Sequence, residues 1–339
     1  METYSVDLTN KSSQIKFLII RFSSIGDIVL TTPVVRCLKQ QVKGAVVHYL
    51  TKPEYAQILA QNPYIDKIHS LQEYAKTIDE LKNERFDYII DLHKSLRSLR
   101  FKNKLKILDF SFPKLNKEKI LITKFKINKL PDVHIVDRYF EAVKLFDVRN
   151  DNRGLDFFVG KNNEIKIQHE FSEIGEKFVV FAIGGQHETK KLPASKIIEI
   201  CSKINYPILL LGGKDDEATG NMIANQTTKV YNFCGKYNLQ QSASILSQAK
   251  VVLTHDTGLM HIAAALKKNV ISIWGNTIPQ FGMYPYLAGK KSKLFEINDL
   301  KCRPCSKIGY GKCPKKHFKC MNLQDADKIS SYVNKTMSE

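Results

Sequence analysis

The chain has 339 residues and a formal net charge of +18, and no apolar run approaches the roughly 18 to 20 residues that span a bilayer. That length suits two domains with cores large enough to need no staples, and the polar start over residues 1–14 has no apolar signal core, so a cytoplasmic protein is expected. The charge is uneven. Residues 94–130 carry 12 Lys or Arg against Asp109 and Glu118, and residues 301–320 carry 7 against no acid, together +17 of the total. Two surfaces therefore face something anionic, such as nucleic acid, an anionic leaflet or a phosphorylated glycolipid, although a solvated lysine is the plain reading of many single positions. Aromatic residues of the base-stacking kind are sparse in both runs, so no nucleic acid is expected.

In chain order, residues 15–20 form a continuous apolar run that ends in Arg21-Phe22-Ser23-Ser24-Ile25-Gly26-Asp27 and leads into a helical pattern over 28–41. Residues 46–50, 68–71 and 88–92 read as further buried strands. Helices are expected at 54–61, 74–83 and 133–146. A polar, glycine-punctuated stretch over 147–160 marks a domain boundary, after which strands at 178–183, 208–211, 251–254 and 270–274 each end in a polar or glycine-rich turn. Strands alternating with helices predict parallel sheets covered by helices, with a ligand crevice at the carboxyl edge. Neither half carries a G-x-G-x-x-G fingerprint or a P-loop, which argues against a nicotinamide dehydrogenase and a P-loop enzyme.

The segment Asp256-Thr257-Gly258-Leu259-Met260-His261 stands where one strand hands over to a small-residue helix. Such a junction suits an anion, because free backbone N–H groups and the helix dipole point into the gap. The tripeptide also spells the aspartic-protease motif, but that chemistry needs two carboxylates sharing a proton and the chain has one copy. An Asp or Thr helix cap is the bland alternative; it leaves His261 unexplained. Asp27, at the first strand-to-helix turn, is either a cap or a general base facing the crevice. Lys190 and Lys191, after Gly184-Gly185, can neutralise a diphosphate. Asp216 and Glu217, after Gly212-Gly213, suit ribose hydroxyls or the start of a helix. Arg97 and Arg100 can fork onto acceptor phosphate or carboxylate groups, or form a basic helix face in water. Cys302, Cys305, Cys313 and Cys320 have spacing compatible with structural zinc, with reduced thiols tying down a loop as the alternative.

Residues 16–27, with Thr31-Thr32-Pro33, and the segment 256–264 resemble glycosyltransferase family 9, the lipopolysaccharide heptosyltransferases. Lys190-Lys191-Leu192-Pro193 and Cys302-Arg303-Pro304-Cys305 match in the same order. The resemblance implies a GT-B type α/β fold, in which two Rossmann-like domains with parallel sheets face each other across a cleft. The acceptor-binding domain would cover 1–155, the nucleotide-sugar domain 156–323 with its basic loop at 301–320, and a closing helix 324–339, free to pack back on the N-terminal domain. It implies inverting transfer from ADP-L-glycero-D-manno-heptose to the inner core of lipopolysaccharide without a catalytic metal or cofactor. Asp27 matches the family's base. Lys190 matches its phosphate-binding lysine; Gly184, Gly185, Asp256, Thr257, Gly258 and His261 fall at the donor loops, and Asp216 or Glu217 at the ribose acid. Ser24, Gly26, Arg97 and Arg100 fall on the acceptor side.

Two departures qualify the match. Residues 186–189 are not the hydroxyl-rich stretch of the best-known members, and the basic segment 102–130 is unfamiliar. A phosphorylated lipid A core acceptor and peripheral contact with the anionic inner membrane surface follow from the resemblance and the local charge. A GT-B transferase using another nucleotide sugar for a surface glycan is the alternative within the class. A zinc-containing binder of anionic polymers is the alternative outside it.

Overall fold

The computed structural model describes residues 14–339; the polar start before them lies outside the described residues. The first half is a five-stranded parallel sheet of β1 (Ile15–Ile20), β2 (Ala45–Thr51), β3 (Lys67–Ser70), β4 (Tyr88–Asp91) and β5 (Leu108–Ser111), in the order β3-β2-β1-β4-β5. Its helices are α1 (Ile25–Val29), α2 (Thr32–Gln41), α3 (Tyr74–Asn83), α4 (Leu96–Leu105), α5 (Asn116–Ile120) and α6 (Ile135–Phe140). The second half begins with the short α7 (Ile167–Glu170). Its six-stranded parallel sheet is β6 (Val179–Ala182), β7 (Ile208–Leu211), β8 (Val230–Asn232), β9 (Val251–His255), β10 (Asn269–Trp274) and β11 (Lys293–Glu296), in the order β11-β10-β9-β6-β7-β8. Helices α8 (Ala194–Cys201), α9 (Glu217–Asn225), α10 (Leu239–Gln248), α11 (Gly258–Ala265), α12 (Lys319–Asn322) and α13 (Ala326–Ser338) complete it.

The central strands are near-continuous apolar runs because helices cover both faces of each sheet. Phe17 to Ile20, Val179 to Ala182 and Val251 to Leu253 are all fully buried. The strands absent from the sequence reading, β5, β8 and β11, are edge strands of only three or four residues, and the side chains of β5 and β11 are partly exposed. The expected helix over 28–41 starts earlier and is broken in two. Thr31 and Thr32 donate their hydroxyls to the carbonyls of Ile28 and Val29, both at 2.7 Å, and Pro33 opens α2. The expected helix at 54–61 is a 3₁₀ turn, Pro53–Ile58, and 133–146 is helical over α6 with a short turn beyond it.

The closing helix α13 packs on α8 and β9 of the second sheet, where its apolar stripe of Ile329, Val333 and Met337 is fully buried with Ile197 and Ile200 of α8. Among the segments that reach the first half is the loop after β10. Gly282 O accepts from Ile135 N at 2.8 Å, and Tyr286 Oη donates to Asp137 at 2.6 Å. The connection near 151–156 is pinned by Arg36 of α2, whose buried guanidinium bonds Asp151, Asp156 and the Gly154 carbonyl.

Candidate active site between the two sheets

Strand order reverses between β1 and β4 in one sheet and between β6 and β9 in the other. At such switch points the loops leaving adjacent strands diverge and open a crevice at the carboxyl edge. Asp27 sits there, on the first turn of α1 just beyond β1. Its Oδ2 accepts from the Ser24 hydroxyl at 2.9 Å and the Ser24 N–H at 3.3 Å, while Oδ1 pairs with Arg21 Nη2 at 2.5 Å. Asp27 thus belongs to a capping box with Ser24, while 24 % of its side-chain surface stays open, enough for a ligand to reach. Burial alone would raise its pKa, but Arg21 and the Ser24 bonds override it and hold the carboxyl below its ordinary value.

Arg21 is itself held by the Leu92 carbonyl at 2.6 Å, Tyr139 Oη at 3.1 Å and the Ser23 carbonyl at 2.8 Å. Neither Arg21 nor Tyr139 stands out from the sequence as a site residue. The available signal is an arginine closing an apolar strand, where a charge is kept only with a partner.

On the facing sheet, Asp256 follows β9 and its Oδ2 takes both Lys190 Nζ at 2.6 Å and the Thr277 hydroxyl at 2.8 Å. Thr257 is the N-cap of α11 but makes no capping bond, so the first N–H groups of the helix have no side-chain oxygen of that residue to satisfy them. Gly185 lies against Thr257, and Gly184 against the Asp216 carboxylate, where a side chain would collide. Asp216 and Glu217 part company. Asp216 accepts from Gly213 N at 2.9 Å and lies 3.5 Å from Lys191 Nζ, beside the β6 and β7 turns. Glu217 turns to Lys214 at 2.5 Å and lies beside Gly235, so it is not brought to the same point.

The two helix starts touch. A Cβ on Gly26 would run into the His261 ring, and one on Gly258 would come 2.8 Å from Ile25. Burial pushes His261 down to about 4, against the pull of Asp256 and Asp27, so its imidazole is neutral at neutral pH. Its Nδ1, both amide atoms of Asn276, and Nε and Nη1 of Arg138 are buried without a protein partner. Buried polar atoms of this kind are completed by solvent or ligand.

The basic runs meet at this cleft. Lys126 Nζ donates to the carbonyls of Cys302 and Pro304 at 3.0 and 2.8 Å, and Lys114 Nζ to those of His93 and Lys94 at 3.0 and 2.9 Å. Lys119 is pushed down to about 8, first by burial and then by Arg138, with Lys114 and Lys307 adding to the effect and Asp27 opposing it. Four cations thus converge on the Asp27 side; Lys119 and Arg138 were not foreseen there individually. Arg97 stacks on Phe22, 5.9 Å from its ring centre, and with Arg100, Lys52, Tyr74 and Phe101 lines a cavity of 460 Å³.

The four cysteines of the basic loop do not form a closed ligand set among the described residues. Among the described residues no three of the four sulfurs lie within 4.8 Å of one another. Cys305 donates its thiol to the Cys302 carbonyl at 3.1 Å, and Cys320 is buried in the apolar core. The loop is instead clamped by Arg303, a buried guanidinium that bonds the carbonyls of Gly275, Ile297 and Thr277 and the Glu296 carboxylate. This basic residue fixes the loop beside Asn276 and Thr277 and does not face solvent.

Two parallel sheets meeting edge to edge across a cleft form the GT-B architecture of a glycosyltransferase. The family model for glycosyltransferase family 9 (heptosyltransferase) matches residues 74–312. The lipooligosaccharide heptosyltransferase 2 of Haemophilus influenzae is 26 % identical over 321 residues, covering 86 % of this chain and 92 % of that protein. The glycosyl transferase family 9 structure from Veillonella parvula superposes with a TM-score of 0.77 at 19 % identity, over 96 % of this chain and 97 % of that one. The ADP-heptose LPS heptosyltransferase II of Escherichia coli gives 0.74 at 19 %, over 96 % and 99 %. The chain belongs to glycosyltransferase family 9, the heptosyltransferases.

Proposed function

We propose that the chain moves a heptosyl group from ADP-L-glycero-D-manno-heptose to the inner core of lipopolysaccharide, with inversion at the anomeric carbon. The observation that carries this reading is the placement of an ionised, partly open carboxylate, Asp27, across a narrow cleft from Lys190, Asp256 and the start of α11. Asp27 takes the proton of the acceptor hydroxyl as that oxygen attacks the anomeric carbon, and the ADP oxygen departs from the opposite face of the sugar. Lys190 exchanges part of its pairing with Asp256 for the diphosphate. With the N–H groups of α11 it meets the charge that grows on the leaving group, where a fixed dipole helps most. The neutral His261 offers a hydrogen bond without adding charge. Asp216, beside Gly184 and Gly212, is placed for the ribose hydroxyls. On this assignment the cations that stabilise the leaving diphosphate come from the chain, and no metal takes part in the transfer.

On the acceptor side, Lys114, Lys119, Lys307 and Arg138 suit the phosphate or carboxylate groups of a lipid A core, and Arg97 and Arg100 a second anionic group in their own cavity. The first half then binds the acceptor and the second the nucleotide sugar. Among the described residues no helix is long and apolar enough to cross a membrane. The joined basic runs fit peripheral contact with the anionic cytoplasmic face of the inner membrane, and the protein would work from the cytoplasm.

The test is mass-spectrometric detection of heptosylated product from ADP-heptose and lipid A core acceptors, with UDP- and GDP-sugars as controls. Asp27→Asn should lose more than a hundredfold in kcat while binding ADP nearly as wild type. Transfer from a different nucleotide sugar alone would reject the donor, and full activity of the variant would reject Asp27 as the base.

A further inference from the structure

Outside the cleft, on the face of the first sheet covered by α3, two histidines and a glutamate converge. His48 of β2 and His69 of β3 point to the same side, because the register sets His48 opposite Lys67 and Leu50 opposite His69. His48 Nδ1 lies 3.0 Å from His69 Nε2 and 3.8 Å from Glu84 Oε2, and the three ligand atoms all lie within 4.8 Å of one another. We propose that His48, His69 and Glu84 bind a divalent transition-metal ion of the zinc type, which pins the edge strand β3 and the end of α3 to β2.

Four features support this. Tetrahedral zinc with bonds of about 2.0–2.1 Å separates its ligand atoms by about 3.3–3.4 Å, so the observed spacings bracket what the ion needs. His69 Nδ1 is 2.6 Å from Glu80 Oε1. That carboxylate fixes the proton on Nδ1 and turns the Nε2 lone pair toward His48, as the outer-shell partners of metal-bound histidines do. Glu84 gives Oε1 to Lys67 at 2.5 Å and keeps Oε2 on the histidine side. The rings are 5 % and 1 % exposed and both stand edge-on to Phe86, with centroids at 5.1 and 6.1 Å, so they are held in place without an ion.

The ion would displace the proton that His48 Nδ1 shares with His69 and compete with Lys16 Nζ, 3.8 Å from Glu84 Oε2. That proton moves to His48 Nε2 as the ring changes tautomer, so both imidazoles bind as neutral ligands, and protons compete with the ion as pH falls. The cluster shares its sheet face with Leu50, Ile78, Leu81 and Phe86, while Asp27 stands at the carboxyl edge. Its role is to hold the fold; it does not touch the transferred sugar.

The experiment titrates the full chain, freed of metal by a chelator, with ZnCl₂ by calorimetry. Zinc K-edge absorption is read on wild type and on a Cys302→Ser/Cys305→Ser chain. One equivalent should bind with a shell of nitrogen and oxygen only in the serine chain, and raise its melting temperature. Glu80→Gln and Glu84→Gln should weaken uptake ten- to a hundredfold. Both should keep ADP binding and the melting temperature of the metal-free protein, which separates ligand loss from misfolding. Lack of uptake by the serine chain, a shell containing sulfur there, or uptake unchanged in both glutamine variants would each overturn the site.

Discussion

The α-carbon of Gly26 packs against the imidazole of His261, and this contact closes the cleft between the two sheets. Gly26 has no left-handed backbone to accommodate; it is required by the approach of the ring. Gly26→Ala should push α1 and α11 apart and lower kcat/KM by roughly ten- to a hundredfold, matching an overpacking cost of about 1–3 kcal/mol. ADP affinity should change little. Steady-state kinetics beside ADP calorimetry checks this, and an unchanged kcat/KM would mean that the contact opens during turnover.

Asp27 should give the pH profile of a carboxylate held by a buried arginine. Its pKa is lowered in the folded protein, so its ionised form, and the stability from its pairing, is present above the unfolded value. Both are lost only as pH falls through the lower folded value. The acid limb of kcat/KM should then lie below the ordinary 3.8 in wild type. In Arg21→Gln it should move up, with about 3–5 kcal/mol of stability lost for stranding a buried charge. A limb that stays in place would show that Arg21 does not hold the carboxylate.

Arg138→Met removes a guanidinium that is 4 % exposed and has two unpartnered nitrogens, while keeping much of its volume. The KM for an anionic acceptor should rise tenfold or more, with the donor KM unchanged. Equal loss with an uncharged acceptor analogue would count against charge recognition.

Ile329→Ala tests the placement of the closing helix. The side chain is fully buried on the second sheet, so the cavity should cost about 2–5 kcal/mol and lower the melting temperature. Acceptor binding at a temperature where the variant is folded should be unaffected, since Ile329 is buried in the core of the second half.

The central strands, the glycine turns and both motif loops were legible because each depends on neighbours in sequence: apolar runs buried on both faces, and polar residues where a strand meets a helix. The edge strands β5 and β11 were not, since four residues with partly exposed side chains carry no pattern that a loop lacks. The grouping of Arg21 with Tyr139, and of Lys119 with Arg138 and Lys307, joins residues more than a hundred positions apart in the first case and brings both basic runs together in the second. Arg303, between two of the cysteines, clamps their loop through carbonyls of distant segments, a role that spacing alone does not announce. The direction taken by α13 was unreadable because an amphipathic stripe fits either half.

Arg138 is fixed by both halves at once. Its backbone belongs to α6 on the first sheet, but Nη2 donates to the Phe281 carbonyl at 2.9 Å, five residues past Asn276 on the chain leaving β10. The acceptor-side guanidinium is therefore posed only while the donor-side chain is in place. A nucleotide that settles the loop at 276–277 would also set the angle of Arg138, so acceptor affinity should rise when ADP is present. Equal affinity with and without ADP would show that the two halves recognise their ligands independently.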